Sequence, residues 1–166
     1  MRRLCIFLSA VSLLCLTACD RTPVEPPSID FIGIATGSLT TDLNALKFRN
    51  SFKKEETQLV GIVGFSHIDA GSTAQATWYS PDERTPPIGR SSAITQPGAR
   101  TARFSFASGD GPWTSNSYKL RVDITTGHGI RKQTATGSLF FYIDKSDSEI
   151  RAYQEEYRAW LKDMKK

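Results

Sequence analysis

Residues 117–125 read Ser117-Tyr118-Lys119-Leu120-Arg121-Val122-Asp123-Ile124-Thr125. In an extended chain successive side chains point to opposite faces, so Tyr118, Leu120, Val122 and Ile124 share one side, opposite Lys119, Arg121 and Asp123. This is the pattern of a half-buried antiparallel strand with one wet face. Working outward, short runs rich in Val, Ile, Thr, Phe and Tyr recur between clusters of Gly, Pro, Ser and Asp, which is an all-β signature. The predicted strands are about 29–35, 44–49, 57–65, 73–80, 100–107, 117–125 and 136–143. In 57–65 both sides are apolar, Leu59, Val63 and Phe65 against Val60 and Ile62, so both faces are expected to be covered. Strand 73–80 offers Ala74, Ala76 and Trp78 to one face, 100–107 offers Phe104 and Phe106, and 136–143 offers Leu139, Phe141 and Ile143.

Seven strands in this span predict a mainly β domain at 29–145, two antiparallel sheets packed as a sandwich. Trp78 and the stretch from Trp113 through Tyr118 to Val122 carry a resemblance to immunoglobulin-like and fibronectin-type domains of bacterial envelope proteins. The stretch Ala76-Thr77-Trp78-Tyr79, together with Phe52, Glu56-Thr57 and Leu59 to Val63, is similar to stand-alone bacterial modules of that kind. The resemblance implies that Trp78 packs centrally between the sheets. It also implies that Tyr118 forms a tyrosine corner, and it says almost nothing about activity. The longest weakly structured stretch is the Pro-rich 81–99, within which Ile88 to Ile94 has the makings of a short edge strand.

At the carboxyl end the period changes from two to that of a helix. Ser146 and Glu149 fit a capping box, and Ile150, Tyr153, Tyr157, Trp160, Leu161 and Met164 form an apolar stripe over about 147–164. This predicts an amphipathic helix in 146–166. Tyr153, Tyr157 and Trp160 are candidate partner-binding residues, because such side chains serve protein and membrane interfaces alike. The expectation is that the stripe packs on the helix's own sandwich, with docking on a partner, a second copy or the bilayer surface as the alternative.

The amino end has a different character. Met1-Arg2-Arg3 precedes an apolar run from Leu4 to Leu16 that is too short to span a bilayer and has the layout of a secretory signal. It ends in Leu16-Thr17-Ala18-Cys19, which resembles the lipobox of bacterial lipoproteins. The resemblance implies cleavage after residue 18, diacylglycerol on the Cys19 thiol and an acyl chain on its new amino group. Leu16, Thr17 and Ala18 would then be the processing residues. Asp20 resembles the signal that holds enterobacterial lipoproteins in the inner membrane, facing the periplasm. Residues 19–28, with Pro23, Pro26 and Pro27, read as an extended tether.

Removing residues 1–18 of the 166 leaves 148 and takes the net charge from +4 to +2, since Arg2 and Arg3 depart. Cys5 and Cys15 leave with the signal and Cys19 is lipidated, so no thiol remains for a disulfide, a metal or a nucleophile. Of the two histidines, His67 follows a strand and His128 sits in a Gly-flanked turn. Neither has metal-ligand spacing, and Asp82, Glu83 and Asp144 build no calcium loop. No nucleophile elbow or phosphate loop occurs; Gly109-Asp110-Gly111 lacks the strand–turn–helix context. The expectation is no catalytic residue, no metal and no cofactor beyond the covalent lipid. The basic groups Lys47, Arg49, Lys53 and Lys54, and Arg100 with Arg103, are broken by acids such as Glu55 and Glu56, which argues against nucleic acid. The first group is a candidate for anionic lipid headgroups. The functional expectation is a membrane-anchored periplasmic binding or scaffold module with an envelope protein as partner. The alternatives are an inhibitor or immunity-type lipoprotein that blocks a periplasmic hydrolase through 81–99, or, last, an enzyme.

Overall fold

A computed structural model describes residues 25–80, 86–107, 113–127 and 132–164. The strands are β1 (Ser28–Thr36), β2 (Ser51–Phe52), β3 (Gln58–Ser66), β4 (Thr73–Tyr79), β5 (Gly89–Ile94), β6 (Thr101–Ala107), β7 (Asn116–Thr126) and β8 (Gln133–Ile143). One helix, α1 (Asp147–Asp163), follows them. Two sheets face each other, a smaller one in the order β1-β3-β6 and a larger one in the order β2-β8-β7-β4-β5. All pairings are antiparallel except the short β2, which lies parallel to β8. The chain changes sheet at each step from β1 to β4, again from β5 to β6 and from β6 to β7, as in the immunoglobulin-like sandwich.

The core lies where the alternation of 117–125 placed it. Tyr118, Leu120, Val122 and Ile124 are buried against Leu59, Val63, Phe65 and Phe104 from the smaller sheet. Trp78 has no exposed surface; it stacks on Phe106 at 5.1 Å and meets Phe141 edge-on at 5.8 Å. A Cβ at Gly61 would come within 3.2 Å of the Trp78 ring and 2.9 Å of Leu120, so the absent side chain is what lets β3 pass over that ring. The tyrosine corner is present: the Tyr118 hydroxyl donates to the Thr114 carbonyl at 3.0 Å.

One predicted strand, 44–49, is absent. Leu43–Ala45 forms a 3-10 turn instead, started by Asp42, whose carboxylate accepts the Asn44 N–H at 2.8 Å. The apolar residues there serve to cover a face. Leu43 and Leu46 settle on Ala35, Val60 and Ile62, on the outer side of the smaller sheet, while Phe48 meets Phe31 edge-on. That cover is why β3 is buried on both faces, as its unbroken apolar run foretold. Only Ser51 and Phe52 then pair, opposite Tyr142 and Ile143. In the Pro-rich stretch, Gly89–Ile94 is an edge strand on β4.

Candidate functional site

The helix is set by local chemistry at its start. Asp144, at a φ of 48°, turns the chain out of β8. Ser146 and Glu149 close the capping box: the Glu149 carboxylate accepts the Ser146 N–H at 2.8 Å, and the Ser146 hydroxyl accepts the Glu149 N–H. The Ser146 N–H, the Ser146 hydroxyl and the Lys145 ammonium hold the exposed Glu149 carboxyl well down, at about 2.

From there α1 runs back along β8 on the outer face of the larger sheet. Leu139, Phe141 and Ile143 of β8 point into the core, so Phe140 and Tyr142 point out at the helix. Ile150 is the one buried helical residue. Tyr153 meets Tyr142 edge-on at 5.9 Å and Phe140 at 6.2 Å, and Tyr157 meets Phe140 at 5.0 Å. Burial beneath this ridge pushes the Tyr142 phenol up, against a hydrogen bond with Gln154 and beside Tyr153. The helix rests on rings, with a cleft of about 390 Å³ on the Asn116–Ser117 side and one of about 260 Å³ on the Asn50 side.

The stripe then outruns its support. Beyond Phe140 the outward residues of β8 are Ser138 and Thr136, whose register partners on β7 are Arg121 and Asp123. That surface is polar: Arg121 pairs with Asp123 at 3.0 Å, and the Thr136 hydroxyl donates to Asp123 at 2.6 Å. Trp160 stacks on Tyr157 at 5.8 Å yet is 53% exposed, Leu161 is exposed, and Met164 is 68% exposed. Of the three candidate partner-binding residues, the structure therefore commits Tyr153 and Tyr157 to the protein's own sheet and leaves Trp160 at the surface.

A further cleft of about 610 Å³ opens at the end of the sandwich where β1 begins and β3 ends, lined in part by Asp30, Phe31, Ser66, His67 and Arg100. His67 has a φ of 57° and its ring pairs with Glu25. The Ser66 hydroxyl donates to Asp30 at 3.0 Å and shares a 2.6 Å hydrogen bond with Ser28. Among the described residues no cluster of three or more His, Cys, Asp or Glu is placed to hold a metal ion.

The basic patches are partly spent on structure. Arg49 pairs with Glu56, donates to Thr36 and lies over the Phe52 ring at 4.8 Å. Burial pushes the Glu56 carboxyl up, but the Lys53 N–H, the Thr36 hydroxyl and Arg49 outweigh it and hold the group below its ordinary value. Arg103 donates to the Leu39 and Thr41 carbonyls, pinning the cover of the smaller sheet. Asp144 takes the left-handed backbone of a turn, at a φ of 48°. Leu16, Thr17, Ala18, Cys19 and Asp20, and also Asp82, Glu83, Gly109 to Gly111 and His128, lie outside the described residues.

The helix seat on Phe140 and Tyr142 was not singled out from sequence. Its signal was available: 139–143 is apolar at every position, which marks a strand covered on both faces, as in 57–65.

Comparison with protein-family models and with curated proteins gives no match. Among solved structures, the chain is similar to the crystal structure of Parabacteroides merdae β-glucuronidase, at 11% identity and a TM-score of 0.44. The match covers 71% of this chain and only 14% of that one.

Proposed function

We propose that this chain is a lipid-anchored module of a bacterial envelope that faces the periplasm and acts by binding another envelope protein, not by catalysis. The observation that carries the reading is the run Met1-Arg2-Arg3, Leu4 to Leu16 and Leu16-Thr17-Ala18-Cys19. Among the described residues no helix is long and apolar enough to cross a membrane. The binding role draws support from the sequence, in which Cys19 is the last cysteine and neither histidine has metal-ligand spacing. The alternative is an inhibitor or immunity-type lipoprotein that blocks a periplasmic hydrolase through 81–99, of which Gly89–Ile94 is an edge strand.

The test is metabolic labelling with a radioactive fatty acid. Label on the native chain and none on Cys19→Ser is expected, and an unlabelled native chain would refute the anchor. The binding role is tested by cross-linking the lipidated chain in its own cells and comparing its captured envelope proteins with those of a tether-only control. An identical set would refute it. Asp20 favours the inner membrane, and co-fractionation with outer-membrane markers would overturn that.

A further inference from the structure

We propose that the exposed end of α1 is a second membrane contact, in which Trp160, Leu161 and Met164 enter the interface of an anionic bilayer while Arg158 and Lys162 meet its phosphates. The inference rests on the lipid-anchor reading of Cys19 and adds an orientation to it.

Three observations select the bilayer as the occupant. The first is direction. Ser28 pairs with Ser66 at the end of β3, and the Asp69 N–H that follows reaches the Thr126 hydroxyl at the end of β7. Thr126 in turn pairs with Gln133 at the start of β8. The start of β1, the end of β7 and the start of β8 therefore share one end of the sandwich. α1 begins beyond Ile143 and passes Tyr142, then Phe140, so its carboxyl end points toward that same end. The start of β1, toward which the tether leads, and the uncovered apolar stripe lie toward one end.

The second is reach. Eight residues separate Cys19 from Ser28, and even fully extended they span at most about 28 Å. An anchored domain on so short a leash holds this end close to the lipid surface. The third is charge. The first half of α1 carries Asp147, Glu149, Glu155 and Glu156 against Arg151, whereas from residue 158 onward Arg158, Lys162, Lys165 and Lys166 face a single acid, Asp163. A basic segment with tryptophan, leucine and methionine exposed beside it has the make-up of an interfacial contact with anionic lipid.

The experiment uses the lipidated chain, purified from membranes and reconstituted into phosphatidylethanolamine–phosphatidylglycerol vesicles with brominated acyl chains. Trp78 and Trp113 are buried in the sandwich, so quenching by bromine reads Trp160. Strong quenching is expected, absent in Trp160→Phe and much reduced in phosphatidylcholine vesicles. Arg158→Glu with Lys162→Glu should lower the ratio of docked to free helix at least roughly ten-fold, since each basic residue near such a surface contributes about a five-fold factor. Both side chains are exposed, and far-UV circular dichroism checks that the variant keeps its helix. A lipidated Cys19 with Trp160 unquenched overturns the inference and leaves the anchor standing; absence of lipid on Cys19 overturns both. Cross-linking from position 161 to a second copy or to another protein, without quenching, assigns the stripe to that occupant and also overturns it.

Discussion

Tyr118 and Trp78 show how single side chains hold the sandwich together, and their polar atoms behave in opposite ways. The Tyr118 hydroxyl closes the corner on Thr114, while the ring stacks on Phe141 at 5.4 Å. Tyr118→Phe keeps the ring and loses the hydroxyl's bonds to the Thr114 carbonyl and hydroxyl, so urea denaturation should read a loss of about 1–2 kcal/mol. The Trp78 Nε1 is buried with no hydrogen-bond partner among the described residues. Trp78→Phe removes that unpaired donor together with part of the ring, and should cost clearly less than Trp78→Ala, for which about 3–5 kcal/mol is expected. Equal losses for the two variants would contradict this account. Glu149 sets a pH window. Its carboxyl sits at about 2 in the folded chain against an ordinary 4.5. A lowered folded-state value means that its support of α1 is complete above about 4.5 and is lost as the pH falls through about 2. Helical circular dichroism should therefore fade across that acid window, and Glu149→Gln should flatten the change.

At the scale of elements, α1 is held by a ridge of rings on β8 and by its own cap. A helix of 17 residues is marginal in water without tertiary support. Phe140 touches both Tyr153 and Tyr157, and each aromatic pair contributes about 1 kcal/mol beyond area burial. Phe140→Ser should release the middle of the helix while the sandwich stays closed. Amide exchange over residues 150–157 should quicken roughly thirty-fold, as expected for about 2 kcal/mol of local stability, with β3 and β7 unchanged. Parallel acceleration in β3 and β7 would mean that the helix is part of the sandwich core. The segment over 37–50 is the counterpart on the other sheet, where Leu43 and Leu46 shield Val60 and Ile62.

The whole molecule is a sandwich with its principal core between two sheets and a helix laid on one outer face. None of the principal core belongs to α1, so truncation after Lys145 should leave a cooperatively folding domain. The loss is that of a half-buried aromatic ridge, about 3 kcal/mol, which for a domain of this size lowers the melting temperature by roughly 10 °C. A truncated chain that fails to fold would show that the helix completes the core. The same truncation exposes Phe140 and Tyr142 and so should promote self-association, read by sedimentation.

The local sequence by itself determined the two periods of this protein. Alternation in 117–125, the two-sided apolar runs and the helical stripe with its cap are all written within a few residues, because side-chain direction along a strand or helix depends on near neighbours. Tertiary structure alone decided what each apolar residue meets. Leu46 and Phe48 read as strand, yet together with Leu43 they cover a sheet face formed by β1 and β3. The stripe of α1 is continuous in sequence, but only Tyr153 and Tyr157 meet rings of the sheet, because the register of β8 against β7 puts Ser138, Thr136 and Asp123 where Phe140 leaves off. Where the rings of the sheet end and the stripe of the helix continues is a property of packing between distant strands, and it is there that Trp160 is left at the surface.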